Sequence, residues 1–187
     1  MKSVLISIQP KWCELIASGK KTVEVRKTKP KIDTPFKVYI YQTKMQWMFN
    51  LLKKIGLSDL ANKLLIGKGK VIGEFICDCI TPLYNVCTDE WKYLHGALNE
   101  IEKELVKQSC LKESELIHYA SGKRCYAWHI SDLVIYDKPR ELHHFFKPCG
   151  DCDKKGTRRC TEELTDCRAK VITRPPQSWC YVEGGAE

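Results

Sequence analysis

Gly19-Lys20-Lys21-Thr22-Val23-Glu24-Val25-Arg26 changes backbone conformation within eight residues, and that change limits the folds open to the chain. Upstream, Pro10 suits the first position of a helix, where its missing N–H is not needed, and Trp12, Leu15 and Ile16 fall on one face. Gly19 supplies the left-handed residue that ends such a helix. Downstream, Val23 and Val25 alternate with Thr22, Glu24 and Arg26, the period of a half-buried strand. Val4 to Ile8 reads as a short buried strand ahead of the helix, and Phe36 to Thr43 as a third strand reached through a proline-containing loop.

Farther along, two helical patterns between Met45 and Leu65 are broken by Gly56 and restarted by Ser58, the reading of an inserted helical hairpin over 45–66. Lys70 to Pro82 reads as one strand interrupted by Glu74 and Asp78. A long helix capped by Thr88 carries Trp91, Leu94, Leu98, Ile101 and Leu105 at three-four spacing, and Glu113 to Ser121 forms a shorter helix stopped by Gly122. Arg124 to Tyr136 alternates Tyr126, Trp128 and Ile130 with Ala127, His129 and Ser131, as a strand does. Helices flanked by strands on both sides predict an α+β arrangement or small mixed barrel rather than repeated βαβ units. At 187 residues and 43% hydrophobic content, one domain spanning 1–187 with insertions is the expectation.

Two totals bear on function. Lys plus Arg number 31 against 23 Asp plus Glu, a net charge of +8 that suits a protein meeting phosphates. No apolar stretch reaches the roughly 20 residues of a membrane span, and the N-terminal apolar run is too short for a secretory signal, so a soluble, cytoplasmic protein without membrane association is expected. Eleven cysteines in that setting read as core residues or metal ligands, not disulfides.

Several of those cysteines fall in residues 147–172, a segment rich in Cys, Lys, Arg, Asp and Gly that has too few large apolar residues to build a core. Cys149-Gly150-Asp151-Cys152 is a C-x-x-C turn, and Cys160 and Cys167 follow it at spacings of eight and seven. A zinc ion held by Cys149, Cys152, Cys160 and Cys167 would give the segment a shape. A flexible reduced loop or a redox pair is the alternative reading.

The charged positions carry a resemblance. Ile6-Ser7-Ile8 before a proline-led helix, then Gly19, Lys21, Glu24 and Arg26 in a G-x-K-x-x-E-x-R order, is similar to the ASCH domain, a relative of the PUA domain. Val71-Ile72-Gly73-Glu74-Phe75, Tyr126-Ala127-Trp128-His129-Ile130-Ser131-Asp132-Leu133 and Tyr136-Asp137-Lys138-Pro139 extend the match, and Arg174 to Glu183 resembles the tail of short members found in phages and mobile elements. The resemblance implies a PUA-like mixed β-barrel with flanking helices, and RNA or nucleotide recognition in a cleft at the barrel mouth.

Lys21, Glu24 and Arg26 would line that cleft, with Trp128 and His129 beside them. Arginine offers a planar fork for phosphate or a base edge, lysine a compact charge, and glutamate an acceptor for an exocyclic amine. Trp128 or Trp12 would stack an unpaired base. Some small ASCH proteins are implied to be amidohydrolases of acetylcytidine that use a lysine, a threonine and a glutamate. Lys21 matches the lysine of that set and Glu74 could serve as an acid or base, whereas Glu24 stands at the threonine's position and a carboxylate does not replace a hydroxyl as acyl acceptor. Thr22 lies two residues away, roughly 6–7 Å along a strand. Lys21, Glu24 and Glu74 are therefore the catalytic candidates of a hydrolase reading, and Lys21, Arg26 and His129 those of a ribonuclease reading. A third reading makes the 45–66 hairpin a protein-interaction face through Trp47, Met48 and Phe49.

Overall fold

The computed structural model describes residues 3–44, 53–56, 69–83, 98–148 and 170–183. Within them the chain has mixed α/β content, and it divides into two compact units: Met1–Pro10, Val38–Gly73 and Tyr136–Glu187 in one, Lys11–Lys37 and Glu74–Ile135 in the other. Among the described residues no helix is long and apolar enough to cross a membrane.

The first unit is organised by β1 (Ser3–Ile8), whose six residues are all buried. Its neighbours explain that. On one side it pairs in parallel with β3 (Phe36–Gln42), from Val4↔Val38 to Ile8↔Gln42, and on the other antiparallel with β10 (Trp179–Val182), from Ser3↔Val182 to Ile6↔Trp179. A strand paired on both edges and covered on both faces must be apolar throughout, which is what Val4, Leu5, Ile6 and Ile8 provide. Ser7 is the polar exception, and its hydroxyl donates to Pro176 O at 2.6 Å while its N–H donates to Ser178 O at 2.9 Å, so the proline-rich tail is fastened to β1. Leu5, Tyr39, Tyr41, Val71, Leu142, Phe145, Ile172 and Val182 form this unit's core.

The Cys-rich segment leaves and re-enters through a short ladder of β8 (Phe146–Lys147) and β9 (Lys170–Val171), with Phe146 opposite Val171. Its two ends are therefore tied together. Cys149, Cys152, Cys160 and Cys167 lie outside the described residues, and so does the expected hairpin at 45–66 apart from residues 53–56. There Gly56 turns the chain at a φ of +80° with its N–H donating to Lys53 O, the break that the sequence marks.

The second unit packs α1 (Pro10–Ala17), α2 (Glu100–Gln108) and α3 (Glu113–Ala120) with a three-stranded sheet. That sheet has the order β2 (Val23–Arg26), β6 (Cys125–His129), β5 (Ile80–Leu83), all antiparallel. Val23, Val25, Leu83, Val106, Leu116, Ala120, Cys125 and Ala127 make a core of their own. Pro82 sits in β5, where an edge strand tolerates a missing N–H.

Four expectations change. Lys70 to Pro82 is two strands, β4 (Val71–Cys77) and β5, because Asp78 and Cys79 leave the ladder: Asp78 bonds His129, and Cys79 O accepts from His129 N at 3.0 Å. Arg124 to Tyr136 is likewise two strands, β6 and β7 (Ser131–Arg140), in different sheets. At their junction Ile130 N donates to Thr22 O at 2.9 Å, and Asp132 takes a φ of +46°, a conformation aspartate tolerates better than most residues. The helix expected from Thr88 through Leu105 lies outside the described residues up to 97 and is absent at Leu98 and Asn99, where the Asn99 side chain accepts from Glu102 N at 2.8 Å while Glu102 reaches back to Asn99 N, a reciprocal capping box that starts α2. Finally, the sheets stay open. Among the described residues the orders are β10-β1-β3-β4-β7, β2-β6-β5 and β8-β9, and none closes on itself as a barrel would.

Candidate functional site

Lys21, Glu24 and Arg26 all belong to the second unit and come together there, but not as the exposed face of a strand. Gly19, at a φ of +71°, ends α1 and folds the chain back so that Lys21 N donates to Leu15 O at 3.0 Å. Thr22 N then donates to Gln108 O at 3.1 Å, which fixes the start of β2 against the end of α2. All four residues of β2 are buried, including Glu24 at 6% and Arg26 at 8% exposure, and Lys21 just ahead of them is 2% exposed.

The three charges pair through Glu24. Glu24 lies between the two cations, with one carboxylate oxygen 3.3 Å from Lys21 Nζ and the other 3.0 Å from an Arg26 guanidinium nitrogen. Lys21 Nζ also donates to Ser109 O at 2.7 Å. Ser109 is the C-cap of α2, so the ammonium sits where backbone carbonyls lack helical partners and the helix dipole is negative. The half-buried ring of Trp12 lies with its centroid 5.1 Å from the same nitrogen. Burying charges in this way is costly unless each is paired and hydrogen-bonded, and loss of one partner typically costs about 3–5 kcal/mol.

The environment acts on its neighbours. Burial pushes the Cys13 thiol up to about 12, and the Glu24 carboxylate adds to the rise. Tyr119, on α3, is raised by burial as well, with the Arg26 guanidinium opposing and Glu24 reinforcing the shift, so this phenol lies within electrostatic reach of the group.

The profile of the ASCH domain matches residues 6–170. The chain belongs to the ASCH domain family. That match covers the 45–66 stretch and most of 147–172, and it stops short of the Arg174 to Glu183 tail. Among solved structures, the ASCH protein of Zymomonas mobilis is similar at 21% identity with a TM-score of 0.54, covering 97% of this chain and 87% of that one. Its serine-to-alanine mutant matches at 19% identity and 0.54, covering 97% and 88%, and its tyrosine-to-phenylalanine mutant at 20% and 0.52, covering 98% and 91%. At these identities the likeness is one of fold. A search of curated proteins finds no match.

In this ASCH chain Trp128 lies opposite Glu24 in the β2–β6 ladder, while Glu74 and His129 are engaged with other partners. Trp128, expected as a stacking platform, is fully buried and packs edge-on against Phe36 at 5.9 Å between centroids. Glu74 is bonded to Lys37 Nζ at 2.6 Å. His129 stands opposite Val23 in the β2–β6 ladder, and its Nδ1 is 2.7 Å from an Asp78 carboxylate oxygen, with both side chains 44% exposed. Ser131 donates to Ile76 O at 3.0 Å beside them. The signal for this second pair was present in the sequence as the interruption at Asp78, but its partner lies 51 residues away.

Two outcomes are expected. In urea denaturation, Lys21→Ala and Glu24→Ala each destabilise the ASCH chain by about 3–5 kcal/mol, and the double variant loses about 1–3 kcal/mol less than the sum, because the partners act on one another. The Asp78 carboxyl, which partial desolvation raises but the hydrogen bond and charge of His129 lower by more, titrates below 3.8. Stability from this pair is therefore present above that pH and fades as pH falls through the lowered value. A carbon-detected NMR titration of His129→Ala shows the Asp78 carboxyl moving back up.

Proposed function

We propose that this ASCH protein binds single-stranded RNA or a nucleotide, with Lys21, Glu24 and Arg26 as the charged wall of the binding site. The observation that carries the reading is the state of Lys21. An ammonium has three hydrogens to donate, and two oxygens, Ser109 O and a Glu24 carboxylate oxygen, hold it beneath the Trp12 ring. In this reading the third hydrogen is given to a phosphate or base carbonyl oxygen, and Trp12 stacks the base attached to it. Glu24, engaged by both cations, acts in this reading as the clamp that orients them rather than as the acceptor of a base amine. The net charge of +8 favours a polyanionic partner.

A hydrolytic role has support of a different kind. A histidine whose Nδ1 is bonded to a carboxylate has a defined orientation, the usual arrangement of a general acid or base, and Asp78–His129 has that form. The amidohydrolase reading is less well supported, since Glu24 replaces the hydroxyl and Glu74 is bonded to Lys37.

Titrating the folded protein into a labelled mixed-sequence RNA oligomer, at 50 and 200 mM salt, tests the proposal. Salt-dependent binding is expected, with Lys21→Met weakening it by about tenfold, the worth of one charge-assisted hydrogen bond, while circular dichroism shows the fold retained. No binding by the wild-type chain at either salt sinks the reading. The same samples incubated with RNA and with acetylcytidine separate a binding protein, which leaves both intact, from a hydrolase.

A further inference from the structure

A group that is less than a tenth exposed cannot be where a polymer's phosphates first land, and the surface continuous with it has the composition that such a polymer requires. The β2–β6 ladder runs antiparallel from Val23↔His129 to Arg26↔Tyr126. The chain after Arg26 and the chain before Tyr126 therefore leave the sheet at the same end. Residues 27–31 contribute Lys27, Lys29 and Lys31, residues 121–125 contribute Lys123 and Arg124, and neither segment contains a carboxylate. Lys29, Lys31, Lys123 and Arg124 are exposed and Lys27 is half-buried.

Two tyrosines stand among these cations. Lys27 Nζ lies 5.1 Å from the ring centroid of Tyr119, and Lys29 Nζ lies 5.9 Å from that of Tyr126. Both distances are near the outer limit of a cation–π contact, so each ammonium can turn to a phosphate at little cost. Tyr119 is 36% exposed, so part of its ring is open to a ligand.

Single-stranded nucleic acid is recognised by this combination, a basic track for the backbone with aromatic faces for unpaired bases. Resting on the reading given above, we propose that single-stranded RNA or DNA binds at this open end of the β2–β6 pair. Its phosphates meet Lys27 and Lys29, and its bases stack on Tyr119 and Tyr126. Arg26, opposite Tyr126 in the ladder, joins this outer track to the buried charges. An acidic peptide would use the lysines alone and has no need of the rings.

Fluorescence anisotropy with labelled 12-residue oligo(U), with oligo(dT), and with poly-glutamate as competitor tests the proposal. Lys27→Ala combined with Lys29→Ala is expected to weaken oligonucleotide binding at least tenfold and to reduce the slope of log affinity against log salt by about 1.4, two phosphate contacts on a single strand. Tyr119→Leu and Tyr126→Leu are each expected to weaken binding about tenfold while leaving that slope unchanged. Lys103→Ala with Lys107→Ala, exposed on α2, leaves binding as it was. If the wild-type chain binds neither oligomer, the proposed function itself fails. If it binds but ignores both the lysine and the tyrosine substitutions, this surface is the wrong one. Loss on removing the lysines without loss on removing the tyrosines, or displacement by poly-glutamate as effective as by oligo(U), overturns the nucleic-acid assignment of the surface. Tighter binding of oligo(U) than of oligo(dT) assigns the site to RNA, and the reverse to DNA.

Discussion

A single carboxylate, Glu24, held between Lys21 and Arg26 inside the second unit, sets the terms for everything around it. Three charges at 2–8% exposure are tolerable only if their partners stay in register, so the group demands that the end of α1, the start of β2 and the end of α2 keep fixed positions. Each demand is met by a specific bond. Lys21 N donates to Leu15 O, Thr22 N to Gln108 O, and Lys21 Nζ to Ser109 O. The charges in return satisfy the carbonyl end of α2, which an apolar side chain in place of Lys21 would leave without that donor.

This arrangement separates two tasks that an exposed charged strand would have combined. Inner charges organise the backbone and can hold one ligand oxygen with high orientation. Outer charges, on the segments that leave the β2–β6 ladder beyond Arg26 and Tyr126, lie at the surface where a polymer arrives. The first set gives geometry, and the second gives attraction over distances that salt screens. Trp12 and Tyr119, from α1 and α3, lie at the border between them.

What the sequence disclosed followed the range of the forces involved. β1, α1, the turn at Gly19 and β2 were legible because apolar periodicity and a left-handed glycine are local signals, and the order Gly19, Lys21, Glu24, Arg26 pointed to the ASCH family. The burial of Glu24 and Arg26 was not legible. It depends on Ser109, 88 residues from Lys21, and alternation along β2 gives no hint that the polar face is also covered. The burial of Trp128 was hidden in the same way, since Phe36 reaches it from another strand. The division of Lys70 to Pro82 depends on the Asp78–His129 bond, equally non-local. By contrast, the start of α2 after Asn99 was written in the spacing of Asn99 and Glu102, and a longer apolar periodicity concealed it.

The central claim is that nucleic acid meets this chain where the buried charges reach the surface beside β2. Ultraviolet cross-linking of the wild-type protein to a uniformly substituted 4-thiouridine oligomer, followed by mass spectrometry of the linked peptides, tests it most directly. The account predicts links concentrated on Trp12, Tyr119 and Tyr126. Links confined to residues of the other unit, such as Tyr136 or Tyr181, would contradict it.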